Sequence, residues 1–264
     1  ELLGLLCREL AARGVTLLEA DTDGVYFAVP EDWTEADERR VVAEVAALLP
    51  PLVQLELEGR YAAMLSHEPK NYALLHHDGT LTLRGVAFRS SRSEPFGERF
   101  LREAIARLLV GDVAGVRAAY LATVAALRTR ALPTADVASQ VRLTKSPEQY
   151  DASRAARREL AYEALLAAGR TRWRAGDRVR VYRKQGGEGG LAAPDDGAAA
   201  ADARDYDVDH YVRLLRSTHA ERLARAFTPE DFGVVFADAE QLTLFAAPLD
   251  AIRPVLRTLP APGG

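Results

Sequence analysis

Hydrophobic and polar positions repeat with two periods along this chain, and the switches between them outline its elements. Leu2, Leu3, Leu6 and Leu10 fall on one helical stripe and predict a helix over residues 1–12. Val15–Leu18 and Val25–Val29 are short aliphatic, β-branched or aromatic runs that favour pleated backbone. Asp21-Thr22-Asp23-Gly24 between them is turn chemistry, so the pair predicts a β-hairpin. Thr34 caps a predicted helix to about Leu49, with Val41, Val45 and Leu48 inward, and Pro50-Pro51 stops it. From Val53 to Leu65 the period falls to two: Val53, Leu55 and Leu57 on one side, Gln54, Glu56 and Glu58 on the other. That predicts a strand. Lys70–Leu75 and Thr80–Val86 flank a His77-Asp78-Gly79 turn and predict a second hairpin, with Lys70 and Tyr72 on one sheet face.

Helical spacing then takes over. Pro95 opens a predicted helix through about Val110, with Phe96, Phe100, Leu101, Ile105 and Leu108 inward; Gly111 ends it and Asp112 caps the next, to about Arg130. Asp151 to about Ala168 reads as one amphipathic helix closed by Gly169, followed by a short strand at Arg178–Tyr182. Gln185–Ala203 is rich in Gly, Ala and Asp and reads as a mobile loop. Val208–Phe227 is helical with a break near Thr218-His219, and Phe232–Ala247 is apolar without a clear period. The pattern defines an α+β protein: an antiparallel sheet with flanking helices, then a mostly helical part. The helix junction near residue 110 divides it into 1–110 and 111–264.

The 264 residues suffice for one large or two ordinary domains, and 48% hydrophobic with 27% charged residues suits a chain that buries a core. Cys7 is the single cysteine, which excludes an internal disulfide and fits a reducing, cytoplasmic compartment. No apolar run is long enough to span a bilayer, so no membrane partner is expected. The chain opens on Glu1 and is already patterned as mid-helix, so it is expected to be a piece of a longer protein. Net charge is −4, without the basic excess typical of nucleic-acid binders, but positive charge is clustered. Arg84, Arg89 and Arg92 are close together, and Arg170 to Lys184 form a dense run.

Candidate chemistry centres on Asp21 and Asp23. Two carboxylates at one end of an apolar hairpin repel unless a cation lies between them, and hard oxygen ligands suit Mg²⁺. On these residues alone a metal pair and a solvated Asx turn both stand. An EF-hand does not, because Val25, Phe27 and Val29 occupy positions where that loop is polar. Glu56 and Glu58 lie on the wet face of the next strand, within possible reach of a metal. His67, His76 and His77 read as surface residues, since adjacent His76 and His77 point to opposite faces. Tyr206 and Tyr211 read as core.

Taken in order, these stretches resemble the C-terminal part of a family B DNA polymerase, the end of the palm and then the thumb. Asp21-Thr22-Asp23 resembles the palm's metal hairpin, and Leu55-Glu56-Leu57-Glu58 with Tyr61 is similar to the strand after it. Lys70-Asn71-Tyr72 looks like the Lys-x-Tyr motif that holds the primer strand, with Arg84-Gly85 where the family usually has Lys-Gly. Leu143-Thr144-Lys145 through Tyr150 resembles the start of the thumb; Gly176-Asp177-Arg178-Val179 and Val208-Asp209-His210-Tyr211 are like its closing signatures. The resemblance covers residues 1 to about 225.

It implies template-directed addition of deoxynucleotides to a primer 3′ end by two-metal phosphoryl transfer. The cofactor implied is Mg²⁺, with Asp23 a direct ligand and Asp21 beside it. Lys70, Tyr72, Arg84, Arg89, Thr144, Lys145 and Tyr150 would bind primer and DNA, and Glu56 or Glu58 would stand behind the metals. The partners implied are primer-template DNA, deoxynucleoside triphosphates and the N-terminal remainder of the polymerase, and the setting is the cytoplasm at the nucleoid.

The chain departs from the family in placing Glu19-Ala20 where Tyr-Gly is usual, Gly24 where Ser is usual, and Pro69 where a lysine is common. The family's other catalytic aspartate, nucleotide-binding helix and exonuclease all precede this hairpin and are absent here. The chain alone is therefore expected not to polymerise. The alternative is a catalytically inactive polymerase-like subunit that grips duplex DNA.

Overall fold

Local signals fix the first elements much as the sequence implies. The structure, a computed structural model, describes residues 2–21, 24–88, 90, 92–192, 202–237 and 248–255. These fall into two compact units, one built on residues 1–85 and one spanning Val86–Arg253.

In the first unit, α1 (Leu2–Ala12) buries Leu6, Cys7 and Leu10, while Leu2 and Leu3 stay exposed. The inner stripe is thus rotated toward Cys7. The strands β1 (Thr16–Asp21) and β2 (Gly24–Ala28) form the antiparallel hairpin, with a bulge between Leu17 and Glu19. Thr34 caps α2 (Glu35–Ala46) in a reciprocal box: its hydroxyl accepts from the Asp37 N–H and Asp37 accepts from the Thr34 N–H. Leu6, Leu10, Val15, Leu17, Val41 and Val45 close one core between these elements, with Phe27 and Trp33 packed against it.

The predicted strand over 53–65 is shorter than its pattern. Leu55 and Leu57 are half-buried and Gln54, Glu56 and Glu58 exposed, yet pairing begins only at β3 (Ala63–Glu68). Alternation reports which side is covered; it does not by itself supply a ladder partner. The strand β4 (Asn71–Leu75) pairs with β3 and with β5 (Leu81–Arg84), all antiparallel. Lys70 is not in the strand. It sits in the β3–β4 turn with φ 65°, a left-handed conformation, so the expected alternation of Lys70 with Tyr72 does not hold.

The second unit opens with α3 (Pro95–Leu109) and α4 (Val113–Arg128), joined through Gly111 at φ 76° and the Asp112 cap on the Gly115 N–H. A short α5 (Thr134–Val137) leads into β6 (Ser139–Arg142). The single helix predicted over 151–168 is two, α6 (Pro147–Arg154) and α7 (Leu160–Ala167). They pack with β7 (Arg178–Arg183) and β8 (Gly189–Leu191), which complete a second three-stranded antiparallel sheet with β6. The strand β8 falls within the expected loop, whose residues 193–201 lie outside the described ones. The break expected near Thr218-His219 is present: α8 (Val208–Leu214) runs into a π-helical turn, Leu215–His219, then 3₁₀ turns over Ala220–Ala226. Of the unassigned Phe232–Ala247 stretch, 232–235 lie in α9 (Pro229–Val235), and 238–247 lie outside the described residues. No helix among the described residues is long and apolar enough to cross a membrane.

Candidate functional site

Beyond the bulge in β1, Glu19 and Asp21 both reach Lys70 in the β3–β4 turn. Glu19 is 7% exposed, an unusual place for a carboxylate, and its two oxygens are engaged. One accepts from the Ser66 hydroxyl at 2.6 Å, the other from the Lys70 backbone N–H at 3.0 Å. The residue that replaces the family's usual tyrosine therefore ties the acidic hairpin to the Lys70 turn. Gly85 braces that turn from the opposite side: it has φ 84°, and a Cβ there would lie 2.3 Å from the Lys70 carbonyl oxygen. With its backbone held on both sides, Lys70 carries its ammonium to 3.2 Å from an Asp21 carboxylate oxygen. The pair is wet, Lys70 being 66% and Asp21 33% exposed.

Beside it, the Tyr26 hydroxyl on β2 donates to the Tyr72 hydroxyl on β4 at 2.9 Å, with ring centroids 5.0 Å apart. Burial, then the bond to Tyr72, pushes the Tyr26 phenol well above its usual range; the nearby Glu58 charge adds a smaller push. Tyr26 stays protonated and remains a donor. Arg84 lies directly across the ladder from Tyr72 and is exposed.

The other expected site residues divide. Asp23 and Arg89 lie outside the described residues. Glu56 and Glu58 are exposed on the unpaired stretch before β3. In the second unit Thr144 is exposed, and its backbone N–H, like that of Lys145, donates to the Tyr162 hydroxyl. Lys145 is engaged within the unit, its ammonium 2.7 Å from Glu159 and 3.1 Å from the Ser153 hydroxyl. Tyr150 is a correction: at 1% exposure it is core, stacked on Tyr162 at 4.3 Å and donating to Glu163 at 2.7 Å. Its ring has no face to offer DNA. Tyr206 and Tyr211 are core as expected. His77 is exposed, whereas His76 is half-buried and within hydrogen-bonding distance of the Thr82 hydroxyl.

Among the described residues no group of three or more His, Cys, Asp or Glu side chains converges as a ready metal cage. Asp21 is a hard oxygen donor of the type a divalent cation takes, whereas Glu19 is committed to Ser66 and Lys70. In the sequence Glu19 stands out only as a departure from the usual tyrosine. Its carboxylate acts by gripping residues 47 and 51 positions downstream, which no local signal announces.

An acidic hairpin is thus cross-tied to a three-stranded antiparallel sheet, and a helical unit with its own sheet follows in the chain. The fold matches the structure of the family B DNA polymerase from the hyperthermophilic archaeon Pyrobaculum calidifontis with a TM-score of 0.60. That match has 19% identity and covers 84% of this chain and 28% of that one. In sequence, the chain is 27% identical over 234 residues to a DNA polymerase of Thermococcus sp. strain 9oN-7, covering 86% of this chain and 30% of that protein. It is 40% identical over 86 residues to a DNA polymerase of Pyrococcus horikoshii, covering 31% of this chain and 7% of that protein. No family profile matches the chain. In sequence the chain is thus similar to archaeal DNA polymerases, and in fold to a family B DNA polymerase. It spans less than a third of the length of these relatives.

Proposed function

We propose that the chain is the palm end (residues 1–110) and thumb (111–264) of a DNA-directed DNA polymerase. Together with the N-terminal remainder of the enzyme it extends a primer 3′ end from deoxynucleoside triphosphates on a template. The observation that carries the reading is the meeting of Asp21 and Lys70 at 3.2 Å, in a chain homologous to DNA polymerases over most of its length.

Phosphoryl transfer to a nucleotide is mostly positioning and charge stabilisation. Asp23 and Asp21 would hold Mg²⁺, whose bound pair stabilises both the attacking and leaving oxygens. Lys70 supplies a compact point charge for a primer phosphate. Tyr72 presents a phenol beside it, oriented by the Tyr26 hydroxyl, and Arg84 extends the positive strip across β5. Arg89 would add a further phosphate contact. In the thumb, Thr144 and Lys145 sit on a turn held by the Tyr162 hydroxyl, and Tyr150 stacks on the Tyr162 ring. Phosphate contacts of this kind give sequence-independent affinity that falls with salt.

Primer extension is the test. The 264-residue chain alone is inactive; supplied with the N-terminal remainder it extends a primer in Mg²⁺, and Asp23→Ala abolishes that activity. A reconstituted protein that binds primer-template and never extends it would instead support the inactive duplex-gripping subunit.

A further inference from the structure

We infer that Tyr26 is a positioning residue for the nucleic acid: it fixes the Tyr72 hydroxyl as a hydrogen-bond donor that, paired with Arg84, takes one backbone phosphate. The inference rests on the polymerase reading and deepens it. It gives a role to a residue of β2 outside the acidic turn, and a ligand atom to Tyr72.

A closed square of four residues carries it. Glu19 and Tyr26 are directly opposite on the β1–β2 ladder, and Ser66 and Tyr72 directly opposite on the β3–β4 ladder. Side chains join the two ladders at both corners: Glu19 accepts from the Ser66 hydroxyl at 2.6 Å, and the Tyr26 hydroxyl donates to the Tyr72 hydroxyl at 2.9 Å. Each tie fixes the register of the other. The Tyr26 and Tyr72 rings also pack, with centroids 5.0 Å apart and planes tilted by 54°, so the phenol is held by its ring as well as by its oxygen.

The direction of the bond between the phenols decides what Tyr72 can bind. Burial, and after it the bond to Tyr72, keeps the Tyr26 phenol protonated, so its proton is the one spent between them. A hydroxyl that accepts one bond still has its own proton to give, and accepting polarises it as a donor. Among the described residues the Tyr72 hydroxyl has no other partner than Tyr26. Arg84, exposed and directly opposite Tyr72 on β5, shares its sheet face. A hydroxyl proton beside a guanidinium fork is a donor-only surface, and the ligand it fits is an anion that only accepts. In a chain similar in sequence to DNA polymerases, that anion is a backbone phosphate.

Binding of a short duplex with a 5′ template overhang to the 264-residue chain, read by fluorescence anisotropy across a salt series, tests it. Tyr26→Phe keeps the ring and removes only the hydroxyl. It is expected to weaken duplex binding about two- to fivefold while leaving the log–log salt slope unchanged, because no ionic contact is lost. Tyr72→Phe is expected to weaken binding at least as much, and Tyr26→Phe on that background to add nothing. Duplexes carrying one methylphosphonate at successive linkages locate the phosphate: at one linkage the unsubstituted chain and Tyr26→Phe bind equally well. Tyr26→Leu, with circular dichroism of each variant, provides a second hydroxyl-free change should Phe disturb the packing. Equal affinity in folded Tyr26→Phe, Tyr26→Leu and unsubstituted chains overturns the inference. So does a loss that persists on the Tyr72→Phe background, which marks Tyr26 as merely structural. A loss that no single methylphosphonate abolishes overturns the phosphate as ligand. Failure of the polymerase reading is seen separately, as an unsubstituted chain that does not bind the duplex at all, and it takes the inference with it.

Discussion

Gly85→Ala probes the brace beneath Lys70, and its size follows from the geometry. Gly85 sits at φ 84°, where an L-residue loses about 1 kcal/mol relative to its preferred regions. Its Cβ would also lie 2.3 Å from both the Lys70 carbonyl oxygen and the Asn71 side-chain oxygen, well inside van der Waals contact. The Lys70 oxygen belongs to a backbone that cannot swing aside, so the turn itself must move, adding about 1–3 kcal/mol of overpacking strain. Gly79 is the control: it has the same φ of 84°, but nothing within 4 Å of its Cβ position, so Gly79→Ala isolates the conformational contribution. The expected losses are about 2–4 kcal/mol for Gly85→Ala and about 1 kcal/mol for Gly79→Ala. Each unit contains one tryptophan, Trp33 in the first and Trp173 in the second, so urea melts followed by fluorescence on a Trp173→Phe background report the first unit alone. Equal losses at the two glycines would refute the claim that Gly85 packs the Lys70 turn.

Three further outcomes are expected. Arg154, then the Tyr150 hydroxyl, hold the Glu163 carboxyl at about 2 rather than its ordinary 4.5. The stability from this depression is complete above the unfolded pKa and is lost as pH falls toward 2. With the carboxylate 24% exposed to screening solvent it amounts to about 1–2 kcal/mol, and Glu163→Gln removes that slope from acid melts followed by Trp173 on a Trp33→Phe background. Arg117 is buried in α4, and one of its guanidinium nitrogens donates to the carbonyls of Val234, Val235 and Ala237 at the end of α9; Arg117→Met leaves them without that donor and costs about 1–3 kcal/mol in the same melt. Arg142 and Arg178 oppose each other across the β6–β7 ladder, both exposed; Arg178→Gln relieves that repulsion by a few tenths of a kcal/mol and, on the proposed function, lowers the log–log salt slope of duplex binding by about one.

Local chemistry was legible in the sequence wherever it decided the structure. Thr34, Pro95, Gly111 and Asp112 set helix boundaries through capping and backbone preference, and the structure has them there. Distant partners were not legible. Residues 151–168 contain no breaker, yet the helix parts between Arg154 and Leu160: the Glu159 N–H donates to the Tyr150 hydroxyl, and its carboxylate takes Lys145. Tertiary bonds there outweigh propensity. Gly189 and Gly190 looked like loop residues but pair with β7 as a strand, and they are glycines there because a Cβ at either position would clash with α7 or the Tyr182 ring. At the hairpin, the two aspartates and the Lys-x-Tyr spacing could be read from sequence, but the burial of Glu19 and the left-handed Lys70 arise only once the β3–β4 turn packs against β1.

The most direct test is where a divalent ion binds in crystals of the chain with primer-template duplex and Mn²⁺, located by anomalous scattering. An ion coordinated by Asp23 or Asp21, with the nucleic-acid backbone against Lys70 and Arg84, is the predicted result. A hairpin without an ion and a duplex lying away from Lys70 and Arg84 would contradict it.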